Sequence, residues 1–305
     1  MFTTKKNDSD KHYCGYVNII GCPNVGKSTL INALIGFKLN IVTPKAQTTR
    51  QRILAIYNEP QYQIVFSDTP GIVQNPSYEL HRRMLQYIEE SFTDADIMIL
   101  LIDCANTCTI PSEYITRLKS SPYPVIVALN KIDRVNEKKL HILETEWQTN
   151  LPNAKLIKVS ALNKIGLDLL MNEIKSHIPE SPPYFDKDNI TDKNERFIVS
   201  EVIREKILLF YKEEIPYSCE VIVNAFKESE ELLKIQADIL VERDSQKGIL
   251  IGNKGLALTK LGTEARKDLE QFFNKKIFLQ LFVKVEKNWR NNPGKLNHFG
   301  YRQSE

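Results

Sequence analysis

The sequence predicts an α/β domain wound around a mostly parallel sheet, followed by a small α+β domain. Three observations carry the prediction. Short apolar runs alternate with helical patterns through the first half of the chain. A polar, proline-marked stretch at residues 179–194 breaks that rhythm. The second half then follows the order α-β-β-α-α-β. A length of 305 residues suits two domains, each able to bury its own core.

Tyr16–Ile20 is an apolar run ending in glycine, hence a strand entering a loop, and Ser28–Ile35 is a helix. Gln63–Phe66 is a second strand, running into Asp68. Tyr78–Phe92 sets Leu80, Met84, Leu85 and Ile88 at helical spacing. Ile97–Ile102 and Val125–Leu129 are continuous apolar runs, which suit strands buried on both faces of a parallel sheet. Leu156–Val159 adds a strand and Leu167–Ile178 a closing helix. The first domain thus covers 1–178, the linker 179–194 and the second domain 195–305. In the second, Phe197–Tyr211 is an amphipathic helix, and Cys219–Phe226 and Ile235–Glu242 alternate as half-buried strands do. Gly248–Gly255 reads as a glycine-marked turn, Ala257–Phe273 as a helix and Ile277–Val285 as a strand.

Hydrophobic residues make up 42% and charged residues 26%, which excludes a disordered or fibrous chain. The longest apolar run, Ile97–Ile102, falls far short of the roughly 18 residues of a membrane span. Residues 1–11 are polar and lack the apolar centre of a signal peptide. Cys14, Cys22, Cys104, Cys108 and Cys219 are odd in number and contain no CxxC. That predicts neither a disulfide framework nor a zinc site, and it fits a reducing, cytosolic compartment. Cys104 and Cys108 flank a loop after a strand and are expected to be inert. His81, His141, His177 and His298 have no ligand spacing and read as surface residues. Tyr211, Tyr217 and Phe226 read as core side chains rather than base-stacking ones. Charge is uneven: residues 186–242 carry net −6 and residues 243–302 net +8. The basic block suits a polyanion once a binding motif lies within it.

Gly21-Cys-Pro-Asn-Val-Gly-Lys-Ser28 fits GxxxxGK[ST], after a strand and opening a helix. Its glycines let backbone N–H groups wrap phosphates, Lys27 sets a charge on the β- and γ-phosphates, and Ser28 offers a hydroxyl to Mg²⁺. The nucleotide-binding set here is Gly21, Cys22, Pro23, Asn24, Val25, Gly26, Lys27, Ser28 and Thr29. Asp68-Thr69-Pro70-Gly71 ends the second strand; the carboxylate suits Mg²⁺ and the Gly71 N–H the γ-phosphate. Lys27, Asp68 and Gly71 are therefore the catalytic candidates. Asn130-Lys-Ile-Asp133 selects the base, because a carboxylate can accept both N1–H and N2–H₂ of guanine. Adenine offers neither donor and would leave a buried charge unpaired. Asn130 and Lys131 frame the ring, and Ser160 and Ala161 end the next strand where a backbone N–H can meet guanine O6. In the second domain, Gly252-Asn253-Lys254-Gly255 is a GxxG loop just before a helix, within the basic block. Such a loop lets backbone approach phosphates closely, as KH domains do on single-stranded RNA.

These motifs resemble the translation-factor-related GTPases, and Lys45-Ala-Gln-Thr-Thr-Arg50 resembles the first switch of the Era family. Glu213–Ser218, Glu264–Asp268 and Val283–Lys287 with Trp289 extend the resemblance over essentially the whole chain. It implies a GTPase with a P-loop domain and a C-terminal KH domain, binding GTP or GDP with Mg²⁺ held by Ser28, Asp68 and a threonine. Thr49, adjacent to Arg50, is favoured over Thr48 for that ligand. The resemblance also implies hydrolysis with an apolar residue, Ile72, where Ras-like enzymes carry a glutamine, and K⁺ held with the help of Asn24. Its implied partner is small-subunit ribosomal RNA near the 3′ end, in assembly of the small ribosomal subunit. A monomer in the cytoplasm, associated peripherally with the inner face of the cell membrane, is implied too. Cys22 stands where the family often has a basic residue, and Asn291-Asn-Pro-Gly294 departs from its pattern.

Two other classes compete. A tRNA-modification GTPase shares the phosphate loop but needs a separate catalytic module, for which 305 residues leave no room. A pure interaction protein, keeping a nucleotide structurally, is opposed by the intact Lys27, Ser28 and Asp68. Alone, DTPG and GxxG are ordinary turns; their order and setting give them weight.

Overall fold

The computed structural model describes residues 11–73 and 76–301. Two compact units share them. The first takes residues 11–40, 49–73 and 84–192; the second takes 41–48, 76–83 and 193–301.

The first unit is built on six strands: β1 (Tyr13–Ile20), β2 (Ile53–Asn58), β3 (Tyr62–Asp68), β4 (Ile97–Asp103), β5 (Val125–Asn130) and β6 (Lys155–Lys158). Their spatial order is β2-β3-β1-β4-β5-β6, and only the β2–β3 pair is antiparallel. The intervening helices are α1 (Lys27–Ile35), α2 (Glu79–Ser91, of which 84–91 belong to this unit), α3 (Ser112–Lys119), α4 (Glu137–Asn150) and α5 (Leu167–His177). All seven residues of β4 are buried, so an unbroken apolar run is what this central strand requires. Burying each such Ile or Leu contributes about 1.5–3 kcal/mol. From β1 the chain builds β3 on one side and β4 on the other, which opens a crevice at the carboxyl ends of the strands.

The sequence reading gives no element for β2, α3 or α4. In α4 the buried side chain is Trp147, and in α3 they are Tyr114 and Leu118. Partly buried Leu140 and Leu143 of α4 and Ile115 of α3 pack against the same core, at helical spacing from those residues. The edge strand β2 is short, and the presumed linker covers it. The Ile56 N–H donates to the Ile190 carbonyl at 3.0 Å, while the Gln63 amide oxygen accepts the Tyr184 and Phe185 N–H groups at 2.7 and 2.9 Å. Residues 179–192 therefore lie along the first unit instead of hanging free, because an exposed strand edge leaves backbone groups to be paired.

Two further expectations are corrected. Cys22 and Cys108 are joined by a disulfide, so Cys108 is not an inert thiol. They are 86 residues apart, but they follow β1 and β4, which are neighbours, a proximity that spacing along the chain does not reveal. His81 is buried, 7% exposed, and its Nδ1 accepts the Ser77 N–H at 3.2 Å.

The second unit contains α6 (Glu195–Phe210), α7 (Ile215–Ser218), β7 (Glu220–Glu228), β8 (Leu232–Val241), α8 (Asp244–Ile251), α9 (Leu256–Phe273), β9 (Lys276–Val285) and α10 (Pro293–His298). β7 runs antiparallel and β9 parallel to β8. Val199, Ile203 and Ile207 of α6 share a core with Leu261, Ala265 and Leu269 of α9 and Ile235 and Ile239 of β8. The expected turn at Gly248–Gly255 starts four residues late. Gly248 lies inside α8, whose start is capped by the Gln246 amide oxygen accepting the Glu242 and Arg243 N–H groups. Trp289 is fully buried and donates Nε1–H to the Ser218 carbonyl at 3.0 Å. The unusual tail is a helix start: the Asn292 side chain accepts the Lys295 N–H at 3.1 Å, and Pro293 occupies the first turn of α10.

Candidate functional site

Four motifs of the first unit sit at or just past the carboxyl end of a strand, while Thr49 lies in the segment between α1 and β2. The phosphate loop leaves β1, Asp68 ends β3, Asn130 ends β5, and Ser160 follows β6. Lys27, at the start of α1, is 6% exposed. Its Nζ donates to the carbonyls of Gly21 and Cys22, at 3.0 Å each. Burial pushes the Lys27 ammonium down to about 8, with the Asp68 carboxylate acting in the opposite sense. Gly26 has φ 101°, and a Cβ on it would stand 2.6 Å from the Asn130 amide nitrogen. A Cβ on Gly71 would stand 2.7 Å from Pro23 Cα. Both glycines are thus required by close packing of backbone around the loop.

Three oxygen-bearing side chains converge beside Lys27. Ser28 Oγ donates to Asp68 Oδ2 at 2.6 Å, and Thr49 Oγ1 lies 3.0 Å from Ser28 Oγ and 3.3 Å from the same Oδ2. Thr48 is turned to other partners: its hydroxyl meets Thr43 Oγ1 and the Lys45 carbonyl, at 2.7 Å each. Thr69 donates to the Ile19 carbonyl at 2.7 Å, and buried Ile72 donates its N–H to the Gly21 carbonyl at 3.2 Å. Thr29 follows Ser28 in the first turn of α1.

At the other end of the crevice, Asn130 ties three segments together. Its Nδ2 donates to the Val25 carbonyl at 2.8 Å, and its Oδ1 accepts the Ala161 N–H at 3.0 Å. Lys131, left-handed at φ 65°, sends Nζ to the Asn24 carbonyl and to Asp103 Oδ2, 2.6 Å each. Asp133 Oδ1 accepts the Ser160 hydroxyl at 2.5 Å. Asp103 is the participant that sequence reading missed. Burial would raise its carboxyl, but hydrogen bonds from Asn106, Lys131 and the Ala105 N–H hold it below the usual range. The available signal was a carboxylate ending the apolar run Ile97–Ile102.

In the second unit, Gly252-Asn253-Lys254-Gly255 links α8 to α9, with Asn253 and Lys254 exposed. Gly252, Lys254 and Gly255 all have positive φ, 69°, 49° and 78°. A Cβ on Gly252 would lie 2.6 Å from Ala257 Cβ, so only glycine brings the loop this close to α9.

The 50S ribosome-binding GTPase family matches residues 16–131, and the KH domain family matches residues 214–290. "GTPase Era" of Syntrophus aciditrophicus is 47% identical over 293 residues, which cover 95% of each chain. "GTPase ERA-like, chloroplastic" of Arabidopsis thaliana is 40% identical over 95% of this chain and 69% of its own length. A crystal structure of Era in complex with MgGDPNP and nucleotides 1506–1542 of 16S ribosomal RNA has a TM-score of 0.91 at 38% identity, covering 96% of this chain and all of that one. A variant of Aquifex aeolicus Era bound to GDP and AlF₄⁻ also has a TM-score of 0.91, at 37% identity over 95% of this chain and all of that one. With identity and fold matched along nearly its full length, and with both the phosphate loop and the GxxG loop in place, the chain belongs to the Era family of GTPases.

Proposed function

We propose that the protein binds and hydrolyses GTP at the crevice of the first domain and holds small-subunit ribosomal RNA, near its 3′ end, through the KH domain, as a switch in assembly of the small ribosomal subunit. The observation that carries the reading is the convergence of Ser28, Thr49 and Asp68 beside buried Lys27. Two hydroxyls and a carboxylate are hard oxygen donors, which fit Mg²⁺. Bound there, Mg²⁺ would neutralise charge on the transferred phosphoryl group. Lys27 adds a fixed positive charge, and the backbone N–H groups of the loop and of Gly71 receive phosphate oxygens. Ile72 has no donor or acceptor to orient water, so its side chain contributes packing alone. Asn24, exposed and left-handed at φ 62°, stands where related loops help hold K⁺, and we include K⁺ in the proposal. Asp133 reads N1–H and N2–H₂ of guanine while Ser160 steadies its carboxylate. The boundaries 1–178 and 195–305, a monomeric state and peripheral association with the inner face of the cell membrane belong to the same proposal, on the family resemblance. None of the described helices is long and apolar enough to cross a membrane.

The depressed Lys27 gives a pH signature. Without phosphate the ammonium loses its proton near pH 8; a bound polyanion raises that value again. Nucleotide affinity should be flat below about pH 8 and fall above it by up to about tenfold per pH unit, as binding comes to require uptake of a proton. Calorimetry of GDP binding in two buffers of different ionisation heat reads that uptake directly. It should appear at about pH 9, vanish at about pH 7, and be lost at both in Lys27→Arg, which stays charged.

RNA binding is tested with an RNA copy of the small-subunit 3′ end and an unrelated single strand. Lys254→Ala should weaken binding to both and reduce the salt slope by about one. An unchanged affinity and slope would remove the GxxG loop from the RNA face.

A further inference from the structure

The phosphate loop carries a covalent tie. Cys22, immediately after Gly21, is bonded to Cys108, with Cα atoms 6.5 Å apart. Cys22 is 2% exposed, whereas Cys108 lies at an exposed position in the segment joining β4 to α3. Residues 21–23 are also where other working parts meet. The carbonyls of Gly21 and Cys22 hold Lys27, the Gly21 carbonyl accepts the Ile72 N–H, and Gly71 packs on Pro23. A small cleft shared by Ile72, Val73, Pro111 and Tyr114 sets the start of α3 against the residues that follow Gly71. The bond therefore fastens the phosphate loop to the segment bordering this second nucleotide-sensing stretch.

We propose that Cys22 and Cys108 are a thiol–disulfide modification site that controls nucleotide release. The oxidant class is a low-molecular-weight disulfide such as oxidised glutathione. The exposed Cys108 thiolate attacks one sulfur of that disulfide; its S–S bond breaks and one glutathione leaves as a thiol. The Cys22 thiolate then attacks the Cys108 sulfur of the mixed disulfide, and the second glutathione leaves. Two protein thiols lose two electrons and two protons, and one oxidised glutathione becomes two thiols. The other cysteines do not compete. Cys14, Cys104 and Cys219 are buried, burial pushes the Cys104 thiol up to about 11 and raises that of Cys14, and the Cys219 thiol donates to the Ile215 carbonyl. Release of a nucleotide requires the loop around its phosphates to loosen, and the bonded form opposes that movement.

The inference rests on the reading of Gly21–Ser28 as the GDP-binding loop, and the test separates the two. Reduced protein and protein treated with oxidised glutathione are loaded with a fluorescent GDP analogue, and release is followed on adding excess GDP. Peptide mapping of the treated protein should show Cys22 linked to Cys108, and release should be about tenfold slower than from reduced protein, a change reversed by dithiothreitol. Cys108→Ser should release at the reduced-protein rate under both treatments. Both cysteines remaining free after treatment, or a bond that forms without altering release, would overturn the proposal. A reduced protein with no affinity for the analogue would overturn the nucleotide reading itself.

Discussion

Asp133→Asn should convert a guanosine site into a xanthosine site. In the proposed role the carboxylate accepts two donors from guanine, and one of its oxygens already accepts the Ser160 hydroxyl at 2.5 Å. That hydroxyl fixes the orientation of an amide put in its place: the amide oxygen stays on Ser160 and the NH₂ faces the base. Guanine then presents N–H to N–H, while the C2 oxo group of xanthine finds a donor. Losing hydrogen bonds to a charged group costs about 1.5–3 kcal/mol each, so GDP affinity should fall by roughly a hundredfold or more while XDP affinity rises. Titration calorimetry with GDP, XDP and ADP measures all three. Equal affinity of the parent protein for GDP and ADP would contradict the assignment of Asp133. So would an Asp133→Asn variant that still prefers GDP.

The residues proposed to read the base were legible because they are local in sequence and lie at or just past the ends of strands β5 and β6. The same logic singled out Gly21–Ser28 after β1 and Asp68 at the end of β3, whereas the GxxG loop, between α8 and α9, was marked by its glycine spacing within the basic block. What escaped was non-local. Asp103 works only because β4 and β5 lie side by side, with Asp103 opposite Asn130, which brings Lys131 to its carboxylate. The Cys22–Cys108 bond depends likewise on β1 and β4 being neighbours. Thr49 was favoured over Thr48 only for its place beside Arg50, since two adjacent identical residues differ in nothing else, whereas in the fold their hydroxyls take different partners. Helices α3 and α4 were legible but passed over: Leu140, Leu143 and Trp147 of α4, and Tyr114, Ile115 and Leu118 of α3, stand at helical spacing and pack on the core. Gly248 misled because glycine was taken for a turn inside what is a helix, a position where it costs only about 1 kcal/mol.

The second large effect is expected at Arg204, which ties residues 42–48 to the helix that opens the second domain. Its guanidinium is 1% exposed and is held by Glu201, with contacts of 2.7 Å to both carboxylate oxygens. It donates to the Gln47 and Thr48 carbonyls. The neighbouring Glu205 accepts the Val42 N–H at 3.1 Å, and the Lys45 ammonium reaches the Tyr211 carbonyl. Thr49 follows Thr48 directly, so the hydroxyl that joins Ser28 and Asp68 is one peptide bond from an anchored carbonyl. The same helix α6 packs through Val199, Ile203 and Ile207 on α9, which starts directly after the GxxG loop. GTP that orders Thr49 then biases α6, and α6 biases the RNA-binding half. Linkage requires RNA to favour the GTP state by the same factor, typically about 5- to 150-fold. RNA affinity measured with GDP and with a non-hydrolysable GTP analogue should differ by such a factor in the parent protein. Arg204→Met should bring the ratio close to one with GDP affinity little changed, while thermal unfolding moves to lower temperature because Glu201 and the two carbonyls lose a buried partner. Arg204→Lys keeps the charge but loses the forked pair of donors, and should fall between. Lys254→Ala should lower RNA affinity equally in both states and leave the ratio intact. A ratio that survives Arg204→Met would assign the coupling to another route, and identical RNA affinities in the parent would leave the two domains merely tethered.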